Sequence, residues 1–120
     1  MTGTTPPSLA DLALRRLLDD TAARTPVPGG GAVAAMTLAQ GAALGRMVIA
    51  FSVGRKAFAS HADLHAESES ILGRSQSEAL RLADEDAAQD AVLNSLYALD
   101  RDDPKRVAGW ADAVEGALSP

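Results

Sequence analysis

The sequence has no cysteine, which excludes disulfide scaffolds, thiolate zinc sites and cysteine nucleophiles. Aromatic side chains are nearly as scarce, with one Trp, one Tyr and two Phe in 120 residues. A core must therefore be built from aliphatic and small side chains. No stretch alternates apolar with polar residues and β-branched content is low, which argues against a sandwich or barrel. No basic run is interleaved with aromatics to track a phosphate backbone, so nucleic acid is not an expected partner. The segment Met1–Ala10 lacks a basic stretch followed by an apolar one, so no signal peptide is read and a cytoplasmic location is expected.

Alanine is what the sequence has in excess, with 25 residues, and beside Leu, Arg, Glu and Asp it makes helices. The length suits one domain. The expectation is one all-α domain over residues 1–120: a bundle of about four helices with one long third helix, preceded by a flexible 1–7. The net charge of −5 is uneven. Residues 1–60 carry six basic and three acidic side chains, whereas residues 61–120 carry five and thirteen.

Twenty-one residues without a charge separate Arg24 from Arg46, the length of a membrane span. Thr25-Pro26-Val27-Pro28-Gly29-Gly30-Gly31 cannot continue a helix, and the remaining Ala32–Gly45 is short and rich in Ala and Gly. This reads as a buried core helix, not a span, with Gly41 and Gly45 letting a neighbour approach. Ser8 predicts the cap of a first helix that ends before Thr25. The second helix is predicted from the glycines to about Ser52, with Gly54 as its stop and Arg55 and Lys56 near its negative end. A third runs from about Ser60 to Leu99. Asp103 then caps a fourth, Pro104 to Leu118.

Reading by sevens along the third helix gives Leu72, Ala79, Asp86 and Leu93, flanked by Ser75, Leu82, Gln89 and Leu96. Asp86 interrupts an otherwise small and apolar stripe, and a buried charge is costly unless paired. Either it bonds a neighbouring helix or an arginine such as Arg46, or the stripe is exposed there, or the carboxylate lines a pocket, where it handles protons or binds a polar ligand edge. Gly29, Gly30 and Gly31 offer backbone N–H groups at a positive helix end, although a plain tight turn explains them equally. His61 and His65 are four apart, but no third ligand has convincing spacing, so no metal is expected.

Thr25-Pro26-Val27-Pro28-Gly29-Gly30-Gly31-Ala32-Val33-Ala34-Ala35, Val53-Gly54-Arg55-Lys56-Ala57-Phe58 and Leu82-Ala83-Asp84-Glu85-Asp86-Ala87 occur in that order. Together they resemble the signatures of the cyclodeaminase/cyclohydrolase family, the helical domain also fused to formiminotransferases. The resemblance implies an all-α homodimer with a folate site near the subunit interface and no cofactor beyond a tetrahydrofolate derivative as substrate. It implies either cyclisation of 5-formiminotetrahydrofolate to 5,10-methenyltetrahydrofolate with loss of ammonia, or hydrolysis of the methenyl form. On that basis Asp86 is the expected proton-handling carboxylate, with Asp90 or Asp84 assisting. Pro28, Gly29, Gly30, Gly31, Arg55 and Lys56 are the expected substrate-binding residues.

Two features depart from the resembled pattern. Ala32 stands where the family usually has Ser, and the family's C-terminal helices are expected to be lacking. The alternative expectation is a shortened, non-catalytic module that dimerises and binds a small molecule or partner protein.

Overall fold

The computed structural model describes residues 6–118, so most of the segment read as flexible, 1–7, lies outside the described residues. Ser8 does act as a cap, its hydroxyl accepting from the Ala10 N–H. What it caps is a single 3-10 turn, Leu9–Asp11, not the predicted long helix. The chain extends at Leu12 and Ala13 before α1, Leu14–Ala22, begins. α2 is Gly30–Ser52, α3 is Ala62–Tyr97 and α4 is Pro104–Leu118. A second 3-10 segment, Lys56–His61, joins α2 to α3. Gly54 at φ 81° makes the turn after α2, a conformation that L side chains rarely adopt. The Lys105 N–H donates to Asp103 Oδ1 at 2.9 Å, the predicted cap of α4.

α2 and α3 form an antiparallel pair. Gly31 lies against Asp86 at one end, and Gly45 lies against Leu72 further along. Arg46 crosses between the helices, its Nε 2.7 Å from Glu69 Oε1 and its Nη1 2.9 Å from Gln76 Oε1. α4 turns back along α3. Tyr97 and Trp110 meet edge-to-face at 4.8 Å, with the Arg106 guanidinium over both rings and bonded to the Leu99 carbonyl.

The alanine excess has a structural counterpart. Among the described residues, seven of the nine buried hydrophobic ones are alanines, the others being Leu9 and Met36. Alanine lets helices approach closely but removes little apolar area from water, so the core is thin. The shape agrees. The chain extends 68 × 29 × 29 Å with a radius of gyration of 19.4 Å, against about 14 Å for a compact chain of this length. It exposes 8867 Å², where a compact 12.3 kDa monomer exposes about 6,100 Å².

The expectation of a fully buried α2 is corrected by that exposure. Ala32, Met36, Ala39 and Ala42 face α3 and are buried, but Leu38, Leu44, Val48 and Phe51 are at least 59% exposed. One helix on one side of α2 cannot cover its whole circumference. The two glycines also separate: a Cβ on Gly45 would sit 3.0 Å from Leu72 Cδ1, whereas one on Gly41 would meet nothing within 4 Å. Nor does the helix stop short of a span. At 23 residues, running on past Arg46 to Ser52, it is long and apolar enough to cross a membrane by length and composition.

Candidate active site

The predicted inward stripe of α3 is inward. Leu72, Ser75, Leu82, Asp86, Gln89, Leu93 and Leu96 are half-buried and Ala79 is buried. Asp86 does not pair with Arg46, which Glu69 and Gln76 hold, and its side chain is half-buried. Its Oδ2 is buried and has no hydrogen-bond partner among the described residues.

What faces Asp86 is the glycine end of α2. A Cβ on Gly31 would sit 2.5 Å from Asp86 Oδ1 and 2.6 Å from Oδ2, so only glycine lets the carboxylate lie against the helix backbone here. Gly29 has the same relation to Asp90, whose Oδ2 occupies the space a Cβ would need. Pro28, buried beside them, follows a cis peptide bond from Val27. The first bond of α2 runs from the Val33 N–H to the Gly29 carbonyl, so the amides of Gly30, Gly31 and Ala32 precede the helical ladder. The positive end of α2 thus meets two carboxylates one turn apart on α3.

A cavity of about 230 Å³ opens on Asp86. Gly31 and Ala35 of α2, Leu82, Asp86 and Gln89 of α3, and Gly116 of α4 contribute to its walls. Asp90 is shifted: burial, and secondarily the neighbouring Asp86 charge, push its carboxyl above the ordinary aspartate range. Glu85 also borders the cavity, but its carboxylate is taken by Arg81, which bonds Glu78 as well. Ala32, where the resembled family has Ser, is fully buried in the cluster of Leu9, Met36, Ala83 and Ala87 beneath the site. A hydroxyl there would need a partner within that apolar cluster.

Asp84 points elsewhere. It accepts from the Ser8 hydroxyl at 2.6 Å and from the Leu9 N–H at 2.9 Å, fastening the N-terminal turn to α3. Arg55 and Lys56 are also apart from Asp86. They follow the far end of α2, about 33 Å along the helix from Gly30 at 1.5 Å per residue. There they border a separate, mostly apolar groove of about 1100 Å³, with Met47, Val53, Phe58 and His65. The His61 and His65 rings lie tilted at 51° to each other with centroids 6.3 Å apart, and Phe58 meets His65 edge-on.

Sequence reasoning did not single out Gln89 or Gly116 as site residues. The stripe holds the signal for Gln89. Nothing local marks Gly116, which matters only because α4 folds back onto α3.

Helices that bring two half-buried carboxylates under a glycine-opened helix end define an all-α domain with an acidic pocket. The family described as formiminotransferase-cyclodeaminase matches residues 13–119, and the chain belongs to it. The methenyltetrahydrofolate cyclohydrolase of Methylorubrum extorquens is 34% identical over 106 residues, covering 88% of this chain and 50% of that protein. The formimidoyltransferase-cyclodeaminase of Rattus norvegicus is 47% identical over 51 residues, 42% of this chain and 9% of that protein. The chain thus spans half or less of these curated relatives. No solved structure matches.

Proposed function

We propose that this chain carries the folate-converting site of its family, acting on a tetrahydrofolate derivative by carboxylate acid–base chemistry in the cytoplasm. The observation that carries this reading is the buried, unpartnered Oδ2 of Asp86, which borders a cavity beneath the bare glycine end of α2. In the cyclodeaminase reaction, N10 attacks the formimino carbon attached to N5. Asp86 takes the N10 proton and passes it to the nitrogen of the protonated formimino group, which leaves as ammonia, with Asp90 assisting from the next turn of α3. In the cyclohydrolase reaction, water attacks the methenyl carbon, Asp86 takes its proton, and N5 is protonated as its bond to that carbon breaks. The free N–H groups at Gly30 and Gly31 donate to the ligand.

The second part of the reading is a homodimer through the outer face of α2. Ala34, Thr37, Gly41, Leu44, Val48 and Phe51 lie three and four residues apart and are all exposed. The stripe is small at its N-terminal end and large at its C-terminal end, so antiparallel packing sets Val48 and Phe51 against Thr37 and Ala34 of a second copy. Gly41 lies eleven residues from each end of α2, where two such helices cross. That packing carries Arg55 and Lys56 of one copy toward the acidic Asp86 end of the other, so both sets of expected binding residues serve one ligand. A membrane does not suit the face, because α2 is packed along α3 and would draw Glu78, Arg81 and Glu85 toward hydrocarbon.

The experiment is to add 5-formimino- and 5,10-methenyltetrahydrofolate to the protein and follow methenyl absorbance, then heat of binding. Gain of absorbance selects the cyclodeaminase and loss the cyclohydrolase. Binding without turnover selects the non-catalytic module, a reading favoured by the distance between Asp86 and Lys56 within one chain. No binding contradicts every folate reading.

A further inference from the structure

We propose that Gln89 is the residue that reads the ligand's ring, through an amide-to-amide contact in the Asp86 cavity. This rests on the folate reading above and assigns it a recognition element. Gln89 lies three residues after Asp86, so the two side chains leave α3 as neighbours about 5–6 Å apart at Cβ. Both border the 230 Å³ cavity. The Gln89 carboxamide makes no hydrogen bond among the described residues, although it is half-buried and carries two donors and an acceptor.

Its place is prepared by α4. A Cβ on Gly116 would lie 2.6 Å from Gln89 Oε1 and 3.3 Å from its Cδ, so in its present place the carboxamide uses room that Gly116 leaves. Glycine is a poor residue for a helix interior, and the room for Gln89 is what this one provides. The Tyr97–Trp110–Arg106 cluster holds α4 in that position.

Apart from Glu85, whose carboxylate Arg81 holds, and the Gly31 and Gly116 backbones, the remaining walls are apolar: Ala35, Leu82 and Ala117. The volume lies below the range of about 300–1,000 Å³ for sites enclosing a whole drug-sized ligand, so a ring enters and the rest of the molecule extends outward. A carboxamide is the complement of a lactam, matching its acceptor to the ring N–H and its donor to the ring C=O. The reduced pterin of tetrahydrofolate carries that edge. With its lactam on Gln89, its one-carbon end turns toward Asp86, one turn earlier on α3.

The test separates recognition from chemistry. Kd for 5-formyltetrahydrofolate is measured calorimetrically, with KM and kcat for the converted substrate, in the parent protein, Gln89→Leu and Gln89→Glu. The glutamate keeps the shape and an acceptor but loses both donors, and it guards against a folding defect in the leucine variant. Gln89→Leu is expected to raise Kd and KM by about ten- to a hundredfold while kcat stays within about threefold, and Gln89→Glu to fall between. Kd unchanged within about twofold in both variants, while the parent binds, overturns the assignment of Gln89 and leaves the folate reading standing. A loss of kcat at constant KM also overturns it, because Gln89 would then act on the reaction. A parent protein that binds no folate overturns the folate reading, and this inference with it.

Discussion

The carboxylate of Asp86 rests on the backbone of Gly31, in space that any other residue would fill with its Cβ. Fifty-five positions separate the two residues, one in the charged helix α3 and the other in the first turn of α2. The contact explains why the glycines must be glycines more directly than a tight turn does. Gly31→Ala forces the Asp86 carboxylate out of its place and is expected to destabilise the fold by about 1–3 kcal/mol. Gly30→Ala, with nothing within 4 Å of its Cβ, is expected to leave the thermal midpoint unchanged. Melting curves of the two variants check the contrast.

Asp90 gives a pH dependence whose sign follows from its environment. Burial, then the Asp86 charge, raise its carboxyl above the ordinary range, so the folded protein holds this proton more tightly than the unfolded chain. Its contribution to stability therefore falls as pH rises from the unfolded aspartate range through the raised folded value. At neutral pH the ionised group costs stability. Asp90→Asn is expected to raise the melting temperature at pH 7 by an amount worth less than about 1 kcal/mol, since solvent screens a half-exposed carboxylate. The gain should disappear on acidification below about pH 3.9. Melting temperature against pH for both proteins checks it.

Asp84 is expected to act on stability. Its two oxygens hold the Ser8 hydroxyl and the Leu9 N–H, and Leu9 is one of the few large residues in the core. Asp84→Ala should cost about 1–3 kcal/mol in denaturant unfolding. A fall in kcat at unchanged stability would return Asp84 to the acid–base group.

The outer face of α2 makes the dimer testable in two ways. Val48→Asp is expected to convert a dimer to a monomer in light scattering, because it buries an unpaired charge in the proposed interface. Complementation then tests whether the site is shared. Equal mixing of Asp86→Asn and Lys56→Ala proteins should restore about a quarter of parent turnover. Half of the re-formed dimers are mixed, and each mixed dimer holds one intact site. No recovery after verified exchange would place both residues of one site in the same chain.

The helices were legible because their punctuation is local: the Pro-Gly run, Gly54 and Asp103-Pro104 each end or begin an element by backbone chemistry. The inward phase of Asp86 was legible too, since a helix of 36 residues keeps one face on its neighbours. The burial of α2 was misjudged because hydropathy records which faces avoid water, not how many partners the chain itself supplies. The first helix was misjudged because Ser8 and Asp11 resemble a cap, while Leu12 and Ala13 leave the helical conformation as the turn fastens to Asp84. Gln89's clearance over Gly116 is tertiary and has no local trace.

The most direct measurement of the account is turnover of 5-formimino- or 5,10-methenyltetrahydrofolate by Asp86→Asn beside the parent protein, at matched folded concentration. Asparagine keeps the shape beside Gly31 and removes the base. The expected result is a fall in kcat of about a hundredfold or more, with KM little changed. An Asp86→Asn protein that turns over as fast as its parent would contradict the assignment of the reaction to this carboxylate.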